Sequence, residues 1–536
     1  MRSTQGLSSM TTTDLPQDGD FSPASDRAEK APAQHLANTH RVGLPRGTWR
    51  VLGVIALVLC VCGVGVSWAL SSPLGGSPDD DYHLGSIWCP PPLSASGCST
   101  GYTERGTYGP YVPETVSSRR VACYAFRGED SAACSLNNSD DVTMVTDRWD
   151  DGNYPWGYYQ FHHHFIGHNA ARAGVTMRII NVMIAVVVLG AIGAFMPTIL
   201  RRSYALSLLA GWTPMGIYFI ASNNPSSWAF TGVFAFAAGL WCATHSSGWR
   251  RWALIGLAGL GAVLSCTSRG DSAFFLFVVS VALVFAVRWS RTRWPEAALA
   301  LVSSVVGIVI MRSTNVATSQ LTSIDGPRPS LTQLIGLNVS SLPQYFAGFY
   351  GFRWGPGWMD VNYDGSVTTL ALFTAAFVFI IGMRAWSWRK GMTLLMLVGA
   401  MAGVPIVIGI IQGIDNVAAY QPRYMMPLWV VLIFFMLTME RREDSVTRSQ
   451  LVTIGIFASV AAFWAHFLLL LRYTHGSANM VFNLSESASW WWKGAPVGAN
   501  MVWFIGTVCF VSATVLALVL TRDGVGNKLA VVEADD

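Results

Sequence analysis

The stretch WRVLGVIALVLCVCGVGVSWAL (residues 49–70) is an unbroken apolar run with a single arginine near its start. In hydrocarbon every backbone N–H and C=O must be bonded within the protein, which leaves only helices and closed barrels. A continuous run selects the helix, and about 20 such residues cross a bilayer. Comparable runs lie near 174–197, 203–221, 227–245, 252–267, 272–288, 295–311, 367–384, 391–412, 424–439, 450–471 and 498–520. We therefore expect an all-α integral membrane protein with about 12 spans. Only 12% of residues are charged, against about 25% in a soluble domain. The first run lies too far from the start for a cleaved signal and is expected to remain as a helix.

Basic residues orient such a chain. They cluster at Arg41, Arg46 and Arg50, at Arg201 and Arg202, and at Arg250 and Arg251. Further clusters are Arg288, Arg291 and Arg293, then Arg384, Arg389 and Lys390, then Arg441 and Arg442. Each falls in every second connection, so all lie on one side, which is expected to be cytoplasmic with both termini. Residues 1–48 lack an apolar period and read as a disordered cytoplasmic tail, 49–520 as the membrane domain, and 521–536 as a short cytoplasmic end.

The connection 71–173 is expected outside. Between 71 and 170 it holds 12 acidic against 5 basic side chains, the reverse of the cytoplasmic balance. Cys89, Cys98, Cys123 and Cys134 form an even set, read as two disulfides. Three pairings are open, nearest neighbours being the simplest, and the spacings do not suit a zinc site. The remaining cysteines fall in or beside spans, as packing residues. The stretch DRWDDGNYPWGYYQFHHHFIGH reads as an amphipathic surface segment. Consecutive histidines on a helix point about 100° apart, so His162, His163, His164 and His168 do not converge on one metal ion. A second external connection, 312–366, contains LTQLIGLNVSSLPQYFAGFYGF, expected to rest on or dip into the outer leaflet.

Directly after the first run stands SPDDDYH, with Asp79, Asp80, Asp81 and His83. It resembles the P-D-E-x-x-H signature of a bacterial family of multi-pass proteins, the domain of unknown function numbered 2142. SNNPSSWAF (222–230) resembles that family's Asn-Pro turn, and QPRYMMPL (421–428) its Gln-Gly-Arg-Tyr-x-x-Pro motif. This chain departs from the pattern with Asp80 in place of Glu, Asp81 in place of Pro, and Pro422 in place of Gly. The long cysteine-bearing loop is of a kind found in actinobacterial members.

The family is similar in layout to the GT-C glycosyltransferases, which take a sugar from a polyprenyl-phosphate carrier and keep an essential acid just after the first span. That likeness implies transfer to a cell-envelope glycan or lipid-linked acceptor on the external face of the plasma membrane. Crowded carboxylates suit a general base, with Asp80 expected first, then Asp79, and His83 orienting one of them. Arginine matches phosphate oxygens, so Arg423, Arg269 and Arg353 are expected at the donor, with Tyr424 and Asn224 beside them. No metal site is expected, although an acidic pair of this kind could take a divalent cation. The rival reading is a transporter or flippase of a lipid-linked glycan. It is disfavoured because charge is nearly absent from the span interiors, and no nucleic-acid partner is expected.

Overall fold

Eight helices are long and apolar enough to cross a membrane: Thr48–Leu70, Ala170–Phe195, Ser226–Thr244, Gly248–Ser268, Arg291–Ser313, Trp388–Gln412, Arg448–Thr474 and Ala499–Leu520. They are found in a computed structural model that describes residues 46–314, 329–439, 446–478 and 480–521. Both expected tails lie outside the described residues, apart from the first residues of the opening helix and Thr521. Three apolar helices are shorter, Gly270–Ala286, Ser366–Gly382 and Met426–Thr438. The last has 13 residues, about 20 Å at 1.5 Å per residue. Pro427 sits in its first turn, and the turn Pro422–Tyr424 precedes it, so its apolar run is only partly helical.

Of the roughly 12 expected spans, eight reach spanning length as single helices among the described residues, and the run 203–221 is broken. There the chain forms two helices, Arg201–Trp212 and Met215–Ile220, broken at Thr213 and Pro214. Proline lacks the N–H that would continue the ladder and pushes its predecessor out of helical geometry. Thr213 is accordingly extended, with φ −89° and ψ 124°.

Ser226–Thr244 is the central helix, nearly all of it buried. It meets Gly248–Ser268 where Gly232 and Gly261 face one another. A Cβ on either glycine would lie 2.6 Å from the other's carbonyl oxygen. Small residues let backbones approach in this way, which is a main source of attraction where lipid removes the hydrophobic drive.

Connections gather at two ends of the bundle. At one, Arg251 forks onto Glu296 at 2.6 and 2.7 Å, and Arg293 and Arg389 donate to the carbonyls of Thr244, Phe285 and Val287. At the other lies the first connection, with a three-stranded antiparallel sheet, β1 (Thr100–Tyr102), β2 (Tyr108–Pro113) and β3 (Thr143–Val145). Two disulfides staple it, Cys89–Cys98 and Cys123–Cys134, the nearest-neighbour pairing. The helix Gly157–His163 buries Tyr158, Tyr159 and His162 and leaves Gln160 and Phe161 exposed. It is amphipathic but docked: His162 bonds to the Tyr158 carbonyl and to Asn181.

In the second connection, Leu331–Ser340 carries a capping box from Ser330 and Gln333. It is tied to the end of Trp388–Gln412 by Asn338 Nδ2, which donates to the Ile414 carbonyl at 2.8 Å. Leu331, Ile335, Leu337 and Val339 remain exposed along it.

Candidate functional site

The site is built on the peptide that leaves the first helix. Ser71–Pro78 is buried throughout, so its carbonyls need partners, and side chains from across the chain supply them. Arg178 donates to Ala69, Ser72 and Pro73. Trp492 donates to Leu70, Tyr124 to Leu74, Trp358 to Gly75 and Asn224 to Pro78. Gly76 accepts two hydroxyls, from Tyr218 at 2.5 Å and Tyr473 at 2.7 Å. The acidic turn is thus mounted on a rigid strut.

Asp79 ends this peptide with φ 62°, a left-handed conformation that Asp tolerates better than most residues. The chain reverses there into the helix Asp80–Trp88, and the three carboxylates diverge. Asp79 accepts from Arg423 at 2.8 Å and from Arg148 at 3.3 Å, and is 30% exposed. Asp80 is fully buried, accepting from the Ser77 amide at 3.1 Å with Arg178 at 3.7 Å, and its Oδ1 has no partner. Asp81 takes Arg148 at 2.7 Å.

Burial tends to raise all three pKa values, and the neighbours decide the outcome. At Asp79 the positive charges of Arg423 and Arg148 outweigh burial and hold the carboxyl below its usual range. At Asp80 burial wins over Arg178 and the Ser77 amide, and the pKa is pushed up to about 7. Asp81 is likewise pushed to about 7 by burial, against Arg148.

These placements correct the expected roles. Asp80 does not reach a surface from which a base could meet its acceptor; Asp79 does. His83 is also fully buried, with Nδ1 against the Tyr159 hydroxyl at 2.9 Å. Burial lowers its pKa to about 3, so it is a neutral packing group between Tyr82 and Tyr154. Arg353 stands apart, exposed, its amide bonded to Asp364. Asn224 holds the Pro78 carbonyl and caps the Ser226 amide, a supporting position.

Arg269 and Arg423 converge. Each guanidinium lies 4.9 Å from the centre of the Tyr424 ring. Arg269 forks onto Asp271 at 2.8 and 2.9 Å and reaches Ser226. Arg423 bonds Asp79 and the Tyr424 hydroxyl through Nη2, while its buried Nη1 and Nε have no partner. A cavity opens between them, lined also by Ser226, Phe230, Asp271, Phe275 and Pro427. Arg269 is paired within it by Asp271, while Arg423 keeps two guanidinium donors without a protein partner.

The three carboxylates are each turned toward a guanidinium, a donor set that does not fit a shared cation. Among the described residues no group of three or more His, Cys, Asp and Glu is placed to hold a metal ion.

Sequence reasoning missed Arg178, Arg148 and Arg472. Arg178 is a lone charge inside an apolar run, which by itself signals a bonded role. Arg472, fully buried, clamps Asp360 at 2.6 Å and the Tyr124 carbonyl at 2.9 Å. Arg148 sits in an acidic stretch, and nothing local marks it as the partner of residues 79 and 81.

Apolar helices of spanning length, bound by buried polar networks at their ends, define a multi-pass membrane protein. Residues 62–432 match the family described as a predicted membrane protein, DUF2142; the chain belongs to that family, and the match covers the whole acidic turn and Arg423. No curated protein matches the chain.

Proposed function

We propose that the protein is a GT-C-like membrane glycosyltransferase, moving a sugar from a polyprenyl-phosphate carrier to an envelope glycan or lipid-linked acceptor on the external face. The reading rests on one juxtaposition: Arg269 and Arg423 share Tyr424 and a cavity, and Asp79 pairs with Arg423. The donor phosphate sits on the two guanidiniums. The acceptor hydroxyl gives its proton to Asp79 as its oxygen bonds to the anomeric carbon. The bond from that carbon to the phosphate oxygen breaks, and the arginines hold the departing charge.

Asp79 is a weak base while Arg423 faces it. An incoming phosphate draws Arg423 away and neutralises its field, which raises the proton affinity of Asp79 at the moment it is needed. The same contact thus guards the site when it is empty.

The test uses the full chain in nanodiscs with polyprenyl-phosphate sugars, following release of polyprenyl phosphate. Asn accepts the left-handed backbone of residue 79, so Asp79→Asn isolates the charge. We expect transfer to fall about 10²–10⁴-fold, with a loss of thermal stability because Arg423 and Arg148 lose their anionic partner, and Arg423→Ala to raise KM. Normal turnover by Asp79→Asn overturns the base assignment. Movement of intact lipid-linked sugar across the bilayer, without cleavage at the phosphate, replaces the transferase reading with a transporter.

A further inference from the structure

The first connection carries an exposed feature that the transfer chemistry leaves unused. In the pairing of β1 with β2, Tyr102 stands directly opposite Tyr108, with ring centres 5.5 Å apart. Trp149 continues the series 6.4 Å from Tyr108, its Nε1 donating to the Tyr108 carbonyl at 3.2 Å. Tyr102 is 70% exposed and Tyr108 45%. Two exposed tyrosines facing each other across a strand pair and backed by a half-buried tryptophan from a third segment are more than packing requires, and such clusters mark binding surfaces.

Where the row leads is the second observation. Residue 148, next to Trp149, is the arginine that bonds Asp79 and Asp81 and lies 6.0 Å from the centre of the Tyr82 ring. The aromatic row therefore ends beside the arginine that pairs with Asp79 and Asp81. Its surroundings are polar: Glu104 and Arg105 are exposed at the β1–β2 turn, and Asp150 and Asp151 follow Trp149.

We propose that Tyr102, Tyr108 and Trp149 form the docking platform for a carbohydrate chain, the acceptor whose terminal hydroxyl is delivered to Asp79. A pyranose has one face of C–H groups and an edge of hydroxyls. The face lies on an aromatic ring and removes apolar surface from water, while the hydroxyls bond to the tyrosine O–H groups and neighbouring carboxylates. Ring spacing is comparable to the length of one sugar unit, so the row suits a chain rather than a monosaccharide. Burial in lipid headgroups fits less well, because the exposed Glu104, Arg105 and Asp151 would have to be desolvated with the rings. The delivery role rests on the transferase reading; the binding itself does not.

The experiment measures binding of fluorescent manno- and galacto-oligosaccharides of graded length to the full chain in zwitterionic nanodiscs. Affinity is expected to rise with length in the native protein. Tyr102→Ala combined with Tyr108→Ala should weaken it about tenfold or more, and the corresponding Phe pair should retain it with the disulfides intact. Trp149→Phe tests the third ring without removing its bulk and should weaken binding less than the double Ala variant. If the native chain binds the oligosaccharides but releases no polyprenyl phosphate from the donor, the transferase reading falls and the platform stands. The proposal is overturned if no oligomer binds the native protein, or if the double Ala variant binds as well. A change confined to insertion of the loop into lipid vesicles also overturns it, in favour of a membrane anchor.

Discussion

Asp79 and Asp80 are adjacent and chemically identical, and their surroundings give them opposite characters. The left-handed turn at Asp79 aims one carboxylate at Arg423 and encloses the other beside Arg178. A carboxyl with a raised pKa binds more protons folded than unfolded. Stability from Asp80 is therefore full below its ordinary value of 3.8 and is lost as pH rises through about 7, with no further change above. Asp79, shifted down, has the opposite sign at acid pH. Asp80→Asn should flatten the fall in thermal stability across that window and leave the protein no less stable at alkaline pH, as read by thermal melts against pH. A steeper decline in the variant would refute the assignment. Arg178→Met should cost about 3–5 kcal/mol, because it strips three buried carbonyls and a carboxylate of their donor; denaturant melts measure it. Little of this was legible locally. The crowding of acids and the arginine of QPRY could be read from sequence, but which aspartate faces the cavity depends on one backbone angle and on Arg148 and Arg178, both distant in the chain.

At the scale of elements, the long apolar helices follow from hydropathy alone, since nothing else satisfies a backbone in lipid. What hydropathy does not give is where a run stays helical. Thr213 and Pro214 divide one apolar run, and Pro427 delays the start of another. The cysteines were legible as an even external set, but their pairing was not. Each disulfide closes a short loop, with separations of 9 and 11 residues, worth about 2–3 kcal/mol by loop-closure entropy. Replacing Cys123 and Cys134 by serine should loosen the segment that Arg472 holds, seen as faster hydrogen exchange at 120–136 with the spans unaffected. The Gly232 and Gly261 contact predicts that Gly261→Val forces the two central helices apart and lowers the melting temperature, whereas an Ala at the open Gly259 position should not.

At the scale of the whole molecule, Arg251, Arg293 and Arg389, read from sequence as cytoplasmic, meet at one end, and the acidic turn, Arg269 and Arg423 lie at the other. Single cysteines at exposed positions such as Arg291 and Glu104 should react with membrane-impermeant maleimide from opposite sides of intact cells, Glu104 from outside. Labelling of both from one side would refute the orientation. The strut at 69–78 has a consequence for biogenesis. Its carbonyls are held by Arg178, Tyr218 and Asn224, but also by Trp358, Tyr473 and Trp492, and Ser71 meets His466. The peptide emerges early in synthesis, yet the last of its partners arrive only with the final third of the chain. Completion of the strut therefore awaits insertion of Arg448–Thr474, and a ribosome-bound chain halted before that helix would carry the residues of the acidic turn without all of the contacts that hold them.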